Sequence, residues 1–286
     1  MRMDLILVAL ILGVIQGVSE WLPISSKTQI MLASMALLGA DTGAGYALGL
    51  LLQGGTVGAS IIFFRTQIWQ MLKCTPLLLK DLAHMNFSFS DVSERMLWNL
   101  ALATAFTGIV GIPLYRFTRG SFSAVNALQA MLVLGLLLVS SGVFVTISRR
   151  RMGQKPIRTA SNKNAVLTGI AQGLSILPGV SRSGITTSAL LWQNFKQEDA
   201  FVFSFIMGIP AAIGASTLSI SEGSVAFQQL GTVPVVVAFL ASFIVGVLAI
   251  KFLLEFAKRV NFAVLTIVLG SISLLLSGYL LVFLIH

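Results

Sequence analysis

Apolar runs alternate with short polar interruptions along this chain, and the runs come in two lengths. Residues 44–64, about 97–115, about 122–148, about 199–220, 232–254 and 260–285 are each long enough to cross a hydrocarbon core of ~30 Å, and they predict six transmembrane helices. Residues 5–18 and 24–40 are shorter, and Pro23 followed by Ser25 and Ser26 breaks the run between them; residues 164–176 and 184–195 do the same around Pro178. Short segments broken at the centre predict two re-entrant helix–loop–helix hairpins that dip in and return. Residues 65–96 and 149–163 carry charges among turn formers and are expected as loops in water.

The two hairpins are copies of one pattern. Gly13, Gln16, Gly17 and Ser19 match Gly169, Gln172, Gly173 and Ser175 at one offset, and Leu22-Pro23 matches Leu177-Pro178 after a one-residue slip. Each half, approximately 5–148 and 164–285, is then one hairpin plus three spans. Three is odd, so the second hairpin starts on the opposite side of the membrane and the repeats are inverted in topology. The expected fold class is an all-α polytopic membrane protein, a single integral membrane domain over 1–286. Paired, Gly/Pro-broken apolar segments in two such halves point to a site between them.

Composition agrees with the pattern. The 286 residues are 56% hydrophobic and 10% charged, with a mean hydropathy of +0.92, outside the range of a soluble globular chain. The net charge of +9 therefore speaks of topology first. The side opposite the termini collects Arg65, Lys73, Lys80, Arg95, the six basic residues of 149–163, Lys196, Lys251, Lys258 and Arg259, against Arg2, Arg116 and Arg119 on the other. The positive-inside rule makes the first side cytoplasmic and puts both termini outside a plasma membrane. No basic stretch is interleaved with aromatic residues, so no nucleic-acid partner is expected. Single Cys74 excludes an internal disulfide and a cysteine metal cluster, and reads as a plain loop thiol. The N-terminus has no small-residue cleavage site before the Gln16/Glu20 motif and is expected as retained structure. A homodimer is compatible with the sequence.

Polar groups inside the membrane need a reason, and both hairpins hold them. The first carries Gln16, Glu20, Ser25, Ser26, Lys27 and Gln29, and the second Gln172, Ser181, Arg182, Ser183 and Gly184. Serine at the start of each inner half-helix is an N-cap type, and free N–H groups there form an anion site that Gly179 and Gly184 would let a phosphate approach. Arg182 adds a forked donor for phosphate oxygens. The alternative for Glu20 and Arg182 is a structural ion pair, but such a pair needs no surrounding Ser, Gly and Gln. Gln16 and Gln172 alone would be interhelical hydrogen-bonding residues. Gln53 with Gly54-Gly55 reads either as a packing notch or as a polar group near the midplane. Lys27 reads either as a phosphate contact or as a side chain reaching for the interface.

These residues resemble the undecaprenyl-diphosphate phosphatases, also called bacitracin-resistance proteins, over nearly the whole chain. Gln16-Gly-Val-Ser-Glu20-Trp-Leu-Pro-Ile-Ser-Ser26 is similar to the family's Glu/Gln-x-x-x-Glu motif and its Leu-Pro-x-Ser-Ser segment. Pro178-Gly-Val-Ser-Arg-Ser-Gly184 is similar to its Pro-Gly-x-Ser-Arg-Ser-Gly motif, and Phe203-Ser204-Phe205 through Pro210 to the segment that follows. The resemblance implies removal of the terminal phosphate from a polyprenyl diphosphate, recycling a lipid carrier of cell-envelope glycan synthesis, on six spans and two hairpins. It also implies a divalent cation, Mg2+ or Ca2+, which Glu20 and Gln16 would hold unless they activate the attacking group instead.

On that basis Arg182 with Ser181, Ser183 and Gly184 would hold phosphates, joined by Ser25, Lys27, Gln29 and Gln53. Glu20 would activate the attacking group or hold the cation, and Ser26 would be the nucleophile or orient a water. One departure stands out: the family continues Ser-Ser-Thr-Gly-His, whereas this chain reads Ser25-Ser26-Lys27-Thr28-Gln29. Glutamine cannot titrate, and neither His84 nor His286 is an obvious substitute. The rival reading is therefore a transporter, flippase or non-hydrolytic binder of polyprenyl phosphate, since broken helices in inverted repeats are also a transporter layout.

Overall fold

Hydrophobic runs of this length fold as helices because a membrane leaves no other partner for backbone N–H and C=O groups. The computed structural model describes residues 4–22, 24–84, 89, 91–122, scattered positions between 133 and 148, 153–221, 230–256, 271 and 275. Among them the secondary structure is helical, apart from one isolated bridge between Lys155 and Phe195. Helices α1 (Leu5–Ser19) and α2 (Ser26–Leu38) form the first hairpin, and α3 (Thr42–Phe63) follows. Next come α4 (Arg65–Lys73), α5 (Thr75–Ala83) and α6 (Val92–Phe122). Helices α7 (Asn162–Leu174) and α8 (Arg182–Trp192) form the second hairpin, followed by α9 (Gln197–Ser221) and α10 (Thr232–Phe256).

Lengths sort the helices by role. Thr42–Phe63, Val92–Thr118, Gln197–Ile220 and Thr232–Phe252 are long and apolar enough to cross a membrane. At 1.5 Å per residue the 15 residues of α1 and the 13 of α7 reach only about 20 Å, short of a ~30 Å core. Local chemistry sets the ends. Asp4 accepts from Ile6 N–H at 2.9 Å to start α1, and Asp41 accepts from Ala44 N–H at 2.8 Å to start α3. Gly39, at φ +64°, ends α2 in the left-handed conformation that a side chain would disfavour. Of the six expected spans, 260–285 lies outside the described residues except for 271 and 275, and 122–148 is described only in part; Pro23 also lies outside.

One expectation fails outright. Residues 65–83 do not form a loop: they fold as α4 and α5, because the stretch is rich in Leu, Gln, Met and Lys and its one proline, Pro76, stands in the first turn of α5, where no N–H is needed. Cys74 joins the two helices with its Sγ 3.6 Å from Asp91 Oδ1; burial and that carboxylate push the thiol above its usual pKa, as suits an inert residue.

Packing exchanges partners between the halves. Helix α1 lies along α10 while α7 lies along α6; α2 packs on α3 as α8 does on α9. Glycines set these approaches. A methyl on Gly17 would come to 2.8 Å of Val245 Cβ and 3.0 Å of Gly246 N, and one on Gly173 to 2.6 Å of Val110 Cβ and 3.2 Å of Gly111 N. Small residues that let backbones close up are how helices associate in lipid, where burial of apolar surface drives little. Ile109, Phe117, Leu248 and Phe252 remain exposed on the spans, a face suited to hydrocarbon.

Candidate active site

The two hairpins meet tip to tip. Arg182, the first residue of α8, donates from Nη2 to Glu20 Oε1 at 2.5 Å. The other carboxylate oxygen of Glu20 accepts from Gln16 Nε2 at 2.7 Å, one helical turn back, and from Ser26 Oγ at 2.6 Å across the loop. Glu20, Gln16 and Ser26 are all buried, and the Arg182 side chain is 9% exposed. A carboxylate held from three directions has a fixed orientation, and one of its three partners is a hydroxyl.

The remaining hairpin groups hold the tips together. Ser181 and Ser183 both donate to the Leu22 carbonyl, at 3.3 and 3.2 Å, and so bridge the two loops. Two N–H groups near the second tip are engaged: Gly184 N donates to Ser181 Oγ in an N-cap, and Gly179 N donates to Thr28 Oγ1 at 2.7 Å. The Thr28 hydroxyl in turn donates to Ser25 Oγ at 3.0 Å. Ser25 does precede α2, yet its hydroxyl makes no cap bond, because the residue sits at φ +56° and ψ 85°. A non-glycine residue there costs about 1–3 kcal/mol, a strain typical of places where a loop must take one shape.

Gln29 donates to the Ile24 carbonyl at 3.2 Å and straps the loop to its helix. Gln172 differs from its counterpart Gln16: its Nε2 reaches Thr107 Oγ1 and the Met207 carbonyl, both at 3.2 Å, so it is a packing residue. Gln53 is buried on α3, one turn beyond Gly49, which rests against the Lys27 backbone; it stands beside the first tip without joining the Glu20 cluster. Lys27 does not reach for the interface. It is 3% exposed, within Coulomb reach of both Glu20 and Arg182, and has no hydrogen bond or ion pair among the described residues.

Two cations thus share one carboxylate in a buried place. Among the described residues, Arg182 Nε and Gln16 Oε1 are also buried without hydrogen-bond partners. A ledger of this kind, with an uncompensated cation and an idle guanidinium donor, is what an anion-binding site requires. Residues 9–272 match the family described as Bacitracin resistance protein BacA. The chain belongs to the BacA family. It is 36% identical over 273 residues to an undecaprenyl-diphosphatase of Sulfurisphaera tokodaii, covering 94% of this chain and 96% of that one. Similar relatives carry the same name in Saccharolobus solfataricus, 38% identical with 96% of each chain covered, and Pyrobaculum islandicum, 38% identical with 94% and 95% covered. With four membrane-capable helices among its described residues, this BacA-family chain is a multi-pass membrane protein.

Sequence reasoning passed over one BacA residue that the site depends on. Gly208 of α9 lies under the guanidinium, so that an added methyl would overlap Arg182 Nη1. It stands inside the Phe203–Pro210 segment, whose resemblance to the family was the available signal. Thr28 and the Leu22 carbonyl were missed too, since neither suggests chemistry by residue type.

Proposed function

We propose that this chain is a polyprenyl-diphosphate phosphatase that removes the terminal phosphate from an undecaprenyl-type lipid. The observation that carries this reading is the Ser26–Glu20–Arg182 chain of contacts, assembled from both hairpins and left with a surplus buried cation at Lys27. The name carried by the relatives supports it.

Nucleophile and base stand in the relation such chemistry needs: Ser26 Oγ donates to Glu20 Oε2 at 2.6 Å, and Arg182 and Gln16 orient the base. As Ser26 Oγ attacks the terminal phosphorus, its proton passes to Glu20, an O–P bond forms, and the anhydride O–P bond breaks to leave polyprenyl phosphate. Glu20 gives that proton to the departing polyprenyl phosphate and, ionised again, takes one from the water that attacks the phosphoserine; the Ser26 Oγ–P bond breaks, Glu20 returns the proton to Ser26 Oγ, and inorganic phosphate leaves. Arg182 and Lys27 stabilise the charge on the non-bridging oxygens, which is most of the catalytic task in phosphoryl transfer. Gln29 enters none of these steps, so the absent histidine does not remove the base.

Among the described residues no group of three or more His, Cys, Asp or Glu side chains gathers to hold a metal, so a divalent cation would have to be held by Glu20 jointly with the substrate's phosphates. Gln16 Oε1 is an orphaned hard oxygen beside the Glu20 carboxylate, and Mg2+ is commonly held by one or two carboxylates together with substrate phosphates. Bound there, it would neutralise phosphate charge.

The architecture in this reading is six spans and two re-entrant hairpins in inverted repeats, with both termini outside and the basic loops cytoplasmic. The exchanged packing of α1 on α10 and α7 on α6 supports it. Phosphate release from a polyprenyl diphosphate by the purified protein tests the function. Tight binding without release would favour the transport or binding alternative.

A further inference from the structure

The seams where hairpin helices meet long spans obey one sequence offset. Gly13 meets Ala238 and Gly17 meets Val245 and Gly246, whereas Gly169 meets Ala103 and Gly173 meets Val110 and Gly111. The differences 238 less 103, 245 less 110 and 246 less 111 are equal, so α10 and α6 align residue by residue. On that alignment Phe239, Ser242 and Phe243 correspond to Thr104, Thr107 and Gly108. Helices α3 and α9 align in turn through Gly58-Ala59-Ser60 and Gly214-Ala215-Ser216.

The two resulting seams are not alike. Between α3 and α10 the phenylalanines fill the space: a methyl on Gly54 would lie 2.7 Å from Phe239 Cε1, and one on Gly58 3.0 Å from Phe243 Cδ2. Between α6 and α9 the equivalent positions are Thr104 and Gly108, and the plug is missing. Among the described residues a methyl on Gly214 would meet nothing within 4 Å, and one on Gly108 only Ile112 of its own helix, at 3.9 Å. What remains is a cavity of about 420 Å3, bounded by residues that include Thr104, Thr107, Gly108, Pro210 and Gly214. That volume suits part of a small-molecule ligand, for which pockets run about 300–1,000 Å3.

Its chemistry is apolar despite three threonines. Thr104, Thr107 and Thr217 turn their hydroxyls back to the carbonyls of Leu100, Ala103 and Ile213, leaving methyl groups to face the opening. One end of it lies against the second hairpin, where Gln172 bonds Thr107 and Gly111 packs on Gly173, and α9, which forms its other wall, carries the Gly208 that backs Arg182. We propose that the open seam between α6 and α9 seats the polyprenyl tail of the substrate, with the diphosphate directed at Arg182. A wall shared with a cationic site selects a lipid whose head is an anion. A wall of glycines, where the other seam has aromatic rings, gives the width that a methyl-branched isoprenoid chain needs. This inference rests on the phosphatase reading for its choice of lipid.

Thr104→Phe/Gly108→Phe rebuilds on α6 the plug that Phe239 and Phe243 form on α10. Phosphate release is measured for undecaprenyl diphosphate and for geranyl diphosphate in the same detergent. The ratio of their kcat/KM values falls on the order of tenfold or more, as expected when a hydrophobic pocket loses its fit. A ratio within twofold of the native one overturns the proposal. If the plugged variant does not fold, Gly108→Cys in a Cys74→Ala background gives a second reading. Undecaprenyl phosphate slows alkylation of the introduced thiol by a bulky maleimide, and inorganic pyrophosphate does not; equal protection by both, or by neither, overturns the proposal. Failure of the native protein to hydrolyse either diphosphate would sink the phosphatase reading, while protection of that thiol by the long lipid alone would still uphold the tail seat.

Discussion

Gly208→Ala should silence the site without touching any group that carries chemistry. The added methyl would overlap Arg182 Nη1, so the guanidinium has to retreat to a normal separation of about 3.5 Å. The 2.5 Å contact between Arg182 Nη2 and Glu20 Oε1 has no slack for such a shift, and it breaks. Misplacing a positioning group by 1 Å can cost about 10²-fold, and this displacement is larger. We expect kcat/KM to fall by about 10²–10³-fold, or about 3–4 kcal/mol at 1.36 kcal/mol per decade. The assay is phosphate release from a polyprenyl diphosphate, run as a cycle with Arg182→Ala. If Gly208 acts only through Arg182, the double variant is no worse than Arg182→Ala alone, a strongly non-additive result. Additive losses, or a Gly208→Ala protein retaining a third of native activity, would refute the argument.

Other expected outcomes follow from the same geometry. Glu20→Gln removes the base and should lower kcat by 10²–10⁴-fold, with Ser26→Ala comparable; a Ser26→Ala enzyme at native rate would show that Ser26 is not the nucleophile. Gln29→His should change kcat/KM by less than about tenfold, the scale of one modest interaction, because among the described residues the Gln29 side chain bonds only the Ile24 carbonyl; hydrolysis that appears only in this variant would contradict the Glu20–Ser26 mechanism. In a Cys74→Ala background, exposed Lys163→Cys and Thr232→Cys should label from opposite faces of the membrane, the first from the cytoplasm, and same-face labelling would break the topology.

The hairpins were legible because proline, glycine and serine interrupt apolar runs, and a buried Glu20 facing a buried Arg182 could be guessed from the two copies. Much of the finer placement could not. Ser181, Ser183 and Gly184 have the residue types of a phosphate cradle, yet their groups tie the tips together through the Leu22 carbonyl and an N-cap. Which of two hydrogen-bonding roles a serine takes depends on a partner more than 150 positions away. Residues 65–83 read as a loop because charge was weighed above helix propensity. Gly208 stayed hidden since a glycine announces space, not chemistry, and only the fold says whose space. The α6–α9 seam was invisible for a related reason: it is defined by side chains that Thr104 and Gly108 do not have.

The most direct measurement is inorganic phosphate released from undecaprenyl diphosphate by purified native protein and by Arg182→Ala, in detergent with Mg2+. The account predicts multiple turnovers for the native protein and, because a fixed forked cation over the phosphate is lost, a rate at least about 10²-fold lower for the variant. Native protein that binds the lipid but releases no phosphate, or an Arg182→Ala variant that turns over at the native rate, would contradict it.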